Sequence, residues 1–209
     1  MRGAAGPEPA ATPAHLVLVD VASRPPADPG PPRLIRFADL ARQPLDRGRG
    51  SVRDVWTSTD VDRRIRWRLQ VVELRDAAGL IAAPDDMNHA IVGFAGPQVA
   101  VRAGGNELNG PGRILHRGEV LTVRESSVRL SRPRLRASGS SSMILLSYST
   151  SEDPPTLNFE QPETEHDPAD GLRITLALRG PIRRGEGEGE VPQGAALVSA
   201  PFAVPPRYR

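Results

Sequence analysis

The sequence predicts an all-β fold, with its strands gathered into one barrel-like sandwich. Three observations lead there. Apolar and polar residues alternate at period two through the middle of the chain, the signature of extended backbone with one face buried. Short strand-like runs recur at close spacing, separated by turn dipeptides such as Gly96-Pro97, Gly104-Gly105 and Gly110-Pro-Gly112. No long segment repeats at the helical period of 3.6 residues.

Taken in order, Met1 to Pro32 is rich in Ala, Pro and Gly and reads as a flexible leader. Its one apolar run, His15-Leu-Val-Leu-Val-Asp20, reads as a strand or a docking arm. Arg33-Leu-Ile-Arg-Phe37 is a second short strand, and Ala38 to Arg42 holds at most one helical turn before Pro44. The loop Asp46-Arg-Gly-Arg-Gly50 follows. From Ser51 the period-two pattern begins, with Val52, Asp54 and Trp56 on one face and Arg53 and Val55 on the other.

Ile65 to Leu74 is the clearest strand, expected to be half-buried. Ile65, Trp67, Leu69 and Val71 share its inner face; Arg66, Arg68 and Gln70 take the other, and the Val71-Val72 step suggests a bulge. Further strands are expected at Asn88 to Phe94, Gln98 to Arg102, Gly112 to His116, Glu119 to Arg124, Ser127 to Ser131 and Met143 to Tyr148. Residues 33–150 thus form the main domain. Ser151 to Gly171 is an acidic, Pro-rich linker. Residues 172–209 supply a strand at Leu172 to Leu178 and a last edge strand after Ala195, flanking the solvated Gly185-Glu-Gly-Glu-Gly-Glu190 repeat.

Composition narrows the function classes. All the basic side chains are arginine, which explains a pI near 9.8 beside a formal charge of only +2. Acidic residues are interspersed among them, so no dense basic patch for nucleic acid emerges. With no cysteine, disulfides, thiolate metal sites and a cysteine nucleophile are excluded. No apolar run approaches the roughly 20 residues of a membrane span, and the first residues lack the apolar core of a secretory signal. A cytoplasmic protein with no membrane or nucleic-acid partner is expected, and homo-oligomerisation is left open.

From Phe37 the chain carries a pattern that resembles the HutD/Ves family. Phe37-Ala-Asp-Leu, Gln43-Pro44 and Gly48-Arg-Gly50-Ser-Val-Arg53-Asp54 follow that family's opening. Trp67-Arg68-Leu69-Gln70 falls at its Trp-Arg-x-Ser strand, and Ile91-Val-Gly-Phe-Ala-Gly96 at its later glycine turn. The resemblance spans about residues 33–148. Within it Leu45 replaces a Trp, Gln70 a Ser, and Met87-Asn88-His89 stands at an Asp-Arg pair. It implies a cupin-like double-stranded β-helix, with a second partial β-barrel from the C-terminal part. It also implies a protein that binds a metabolic intermediate without an established enzyme activity.

Candidate site residues follow from residue chemistry and from those motifs. Arg53 and Arg68 carry planar forks suited to a carboxylate, or each is tied to a local acid such as Asp54 or Glu73. Gly48 and Gly50 offer backbone N–H groups to an anion, or simply turn the chain. Trp67, like Trp56, stacks on a ligand or anchors the core. His89 is a further ligand contact. His89 and His116, with Glu119 or Glu73, would have to converge to hold a metal; no metal or cofactor is expected. Ser138-Gly-Ser-Ser-Ser142 lacks a nucleophile elbow and reads as a flexible loop. The expected function is non-catalytic binding of an acidic small molecule. The alternatives are a cupin-type isomerase, cyclase or oxygenase, or a structural assembly subunit.

Overall fold

The computed structural model describes residues 16–21, 32–45, 49–75, 78–79, 87–103, 112–123, 128–131, 140–151, 156–158, 172–178, 180–183 and 190–199. The described residues are almost all strand, and the one helical feature among them is a single 3-10 turn at Phe37–Asp39. Three antiparallel sheets and one small hairpin stack in layers, a sandwich as the alternation predicts, and none of the sheets closes on itself among the described residues. No helix there is long and apolar enough to cross a membrane.

The central sheet holds six strands: β3 (Gln43–Pro44), β4 (Gly50–Thr59), β5 (Ile65–Leu74), β7 (Met87–Ala95), β10 (Val120–Val123) and β12 (Ser141–Ser149), in the order β10-β7-β12-β5-β4-β3. A smaller sheet of β6 (Ala78–Gly79), β8 (Val99–Ala103), β9 (Arg113–Leu115) and β11 (Val128–Ser131) covers one of its faces. Between them lies an apolar layer that includes Val52, Val72, Leu74, Ile91, Met143 and Leu145 from the central sheet and Val99, Val101 and Leu115 from the smaller one.

The opposite face packs on a terminal sheet, so called because both ends of the chain build it. Its strands are β1 (Leu16–Val21), β2 (Arg33–Arg36), β13 (Thr156–Asn158), β14 (Leu172–Ala177) and β17 (Ala195–Ser199), ordered β13-β1-β14-β17-β2. Trp67, Leu69, Val71, Ile144, Leu146 and Tyr148 meet Ile174, Leu176, Ala196 and Val198 across this second core. The hairpin of β15 (Ile182–Arg183) and β16 (Glu190–Val191) seals the outer side of the terminal sheet, where Ile182 and Val191 pack on Ala177, Ala195 and Leu197. Gly194, at φ +75, makes the turn into β17; its carbonyl accepts the Phe37 N–H at 2.8 Å and its own N–H reaches Ala177 O at 2.7 Å.

The strands expected from sequence all form, with several local differences. β5 is not half-buried: Trp67, Leu69 and Val71 point to one layer and Val72 and Leu74 to the other, all at 3% exposure or less. The adjacent valines therefore follow from a strand covered on both faces, and pairing runs unbroken through Val71 and Val72 to both neighbours. The bulge lies in β4 instead, between Asp54 and Trp56, where Val55 is the extra residue. It moves Trp56 to the Val55 side, against the terminal-sheet core.

The strand after Ala195 is not an edge: β17 is flanked by β14 and β2. The apolar run near residue 15 forms β1 and pairs within this chain to both β13 and β14. Ser141 and Ser142, expected in a loop, open β12, and the Ser141 hydroxyl donates to Pro97 O at 3.0 Å.

Candidate functional site

Strand alternation sorts the sequence-predicted site residues onto two faces of the central sheet. Arg68 shares its parity with Val72 and Leu74 and belongs to the face under the smaller sheet. Arg53, opposite Val71, belongs to the terminal-sheet face, as does Trp67. Trp67 is 1% exposed and stacks on Tyr148 with ring centroids 5.2 Å apart, so it anchors the core. Arg53, Trp67 and Arg68 are therefore not brought to one site.

The smaller-sheet face of the central sheet is divided along its strands. Its Val72–Leu74 half is apolar. Its other half carries a row of polar residues in direct register: His89 of β7 opposite Ser147 of β12, and Ser147 opposite Arg68 of β5. One step along, Gln70 stands opposite Asp54 of β4. The His89 Nδ1 lies 2.9 Å from the Ser147 hydroxyl, with both residues 4% exposed. The row therefore grades from a buried imidazole to a half-open ion pair.

That ion pair has defined geometry. Arg68 donates from Nε to Asp54 Oδ1 and from Nη2 to Oδ2, both at 2.9 Å, the parallel two-bond form that fixes a guanidinium plane. Gln70 Nε2 adds a third bond to Oδ1 at 2.7 Å. Burial pushes the Asp54 carboxyl up, but the hydrogen bonds from Arg68 and Gln70, the Arg68 charge and a bond from Gln43 outweigh it and hold the group below its ordinary value. Asp54 is thus a committed anion that orients Arg68. Two of the five guanidinium N–H groups serve Asp54, and these bonds leave three others to spare.

The other candidates are placed elsewhere. Gly50 sits where β4 presses on β5: a Cβ there would collide with the Glu73 carbonyl oxygen and with Leu45. Close packing of the two strands thus accounts for a glycine at this position. Gly48 lies outside the described residues. His116 is exposed, with Nδ1 2.8 Å from Gln98 Nε2, and its backbone N–H donates to the Glu119 carboxylate at 2.8 Å. Glu73 is bonded by Arg53 at 2.8 Å on the far face. His89, His116, Glu119 and Glu73 therefore do not converge, and no group of three or more metal-binding side chains assembles among the described residues.

Chemically, the row offers a fixed cation, a hydroxyl and an imidazole side by side. Asp54 does not complete a Ser-His-Asp array, since it lies three strands from His89, about 14 Å at ordinary strand spacing. Sequence reasoning singled out Arg68 and His89, weighed Asp54 only as an arginine partner, and missed Ser147 and Gln70. The signal for Ser147 is a small hydroxyl side chain interrupting the apolar run Met143-Ile-Leu-Leu-Ser147-Tyr148, which is buried throughout, Ser147 included.

Comparison with known proteins agrees with this architecture. No family model and no curated protein sequence matches the chain. Among solved structures it is similar to HutD from Pseudomonas fluorescens SBW25, obtained in a formate condition, at TM-score 0.57 and 16% identity, over 82% of this chain and 88% of that one. It is also similar to a conserved protein of unknown function from Pseudomonas aeruginosa PAO1, at TM-score 0.58 and 17% identity, over 83% and 88%. The chain has the HutD-like cupin fold that its motifs resemble, and it has it over most of its length.

Proposed function

We propose that this chain is a non-catalytic binding or regulatory protein for a small molecule bearing a carboxylate, held against the polar row of the central sheet. The observation that carries the reading is the Asp54-anchored Arg68 standing in register with Ser147 and His89. A cation whose plane is already fixed loses little freedom on meeting a second anion, which is how preorganised sites gain affinity. The neighbouring hydroxyl and imidazole supply short-range hydrogen bonds.

Asp54 balances the Arg68 charge, so the site selects by hydrogen-bond geometry more than by net charge. Thermal unfolding with a panel of short mono- and dicarboxylates (acetate, succinate, benzoate) tests the proposal. At least one acid should raise the midpoint in a saturable way, as ligand linkage requires. For at least one acid, Arg68→Gln should reduce or abolish the shift. No shift with any acid, or an unchanged shift in the variant for every acid that gives one, would overturn the reading.

A further inference from the structure

We propose that the chain has a second site, separate from the polar row, for the oxyanion group of a small molecule, a carboxylate or a phosphate. It lies between Arg53 and Arg42 at the Glu73 end of β4 and β5, on the face turned to the terminal sheet.

Arg53 is the key observation. It is only 6% exposed, yet among the described residues its single ion pair runs from Nη1 to Glu73 Oε1 at 2.8 Å. Its Nε is buried and has no hydrogen-bond acceptor among the described residues. Buried donors of a charged group are rarely left unmatched, because losing water without a replacement partner is costly. Arg68 on the other face shows the completed alternative: Nε and Nη2 both occupied by one carboxylate.

The surrounding charge favours an anion. Glu73 is shared: Oε1 takes Arg53, Oε2 accepts the Ser51 hydroxyl at 3.3 Å, and Arg42 Nη2 stands 3.9 Å from that same Oε2. Two guanidinium groups on one carboxylate leave an excess positive charge. Arg42 is 60% exposed and Glu73 26%, so the pair forms an approach from solvent to a buried donor. An oxyanion at Arg53 Nε within reach of Arg42 would satisfy the orphan N–H and balance the charge; carboxylate and phosphate oxygens both match the guanidinium fork. Opposite strand faces separate this site from Arg68, so one small ligand cannot bridge the two.

The test titrates inorganic phosphate and, separately, acetate at constant ionic strength, following thermal unfolding of the wild type and of Arg68→Gln. Saturable stabilisation by phosphate, by acetate or by both, persisting in Arg68→Gln, is the expected result, and the responding anion identifies the source. Because Arg68→Gln removes the polar-row site, failure here is distinguishable from failure of the proposed function. Arg42→Ala, at an exposed position, should weaken that binding by up to about fivefold, the scale of an exposed charge contact, and Arg42→Glu should abolish it. Arg53→Lys should also lose it; where that variant fails to fold, the Arg42 pair decides. No saturable response to either anion in Arg68→Gln, or equal responses with and without Arg42→Glu, would overturn the proposal.

Discussion

Asp54 is held ionised by three side-chain donors while half-sheltered from water, and this gives it a definite pH signature. Its folded pKa is depressed, so its contribution to stability is complete above the ordinary 3.8 of the free carboxyl and is lost as pH falls through the lower folded value. Asp54→Asn should therefore destabilise the protein near neutrality by about 1–2 kcal/mol, less than a fully buried pair because both partners are partly open to water. The gap between variant and wild type should shrink below that 3.8; urea unfolding across the acid range measures it. Trp67 behaves differently, since its worth is packing: Trp67→Ala should cost about 3–5 kcal/mol at every pH, read from the same curves. The sequence marked Asp54 as a partner for Arg68 and Trp67 as a core anchor, each beside another reading. It could not choose, because the choice depends on which face of β5 each neighbour shares.

At the scale of the element, β4 and β5 are the longest strands among the described residues, at 10 residues each. They pair along nearly their whole length, with close contact at Gly50. Gly50 is where that closeness becomes a steric constraint on residue type. Gly50→Ala should destabilise by about 1–3 kcal/mol, the range for overpacking a well-filled site. Since the obstacle includes the Glu73 backbone carbonyl, trimming Leu45 should not rescue the variant; equilibrium denaturation of Gly50→Ala with and without Leu45→Ala checks both points. The β4 bulge at Val55 was illegible in the sequence, where strict alternation placed Trp56 beside Asp54. A bulge leaves no compositional mark when the inserted residue is as apolar as its neighbours. Conversely, the Val71-Val72 step imitates a bulge because a strand buried on both faces needs no alternation.

At the scale of the whole molecule, layering decides what the termini do. β1 lies inside the terminal sheet with β13 on one side and β14 on the other, so the N-terminal run closes a sheet in its own chain. Removing residues 1–21 should leave β14 with an unpaired edge over the larger core, lowering the unfolding midpoint and broadening the transition; calorimetry of the truncated and full chains compares them. The sequence by itself determined the all-β class, the positions of most strands and the arginines on β4 and β5, because period-two burial and turn residues are local properties of the chain. The tertiary structure alone decided that β5 is covered twice, that Arg53 and Arg68 face opposite layers, and that Ser147 joins His89. These follow from pairing between strands far apart in the chain, such as β5 with β12, where Trp67 stands opposite Tyr148, and contacts across such separations leave no period in the sequence to read.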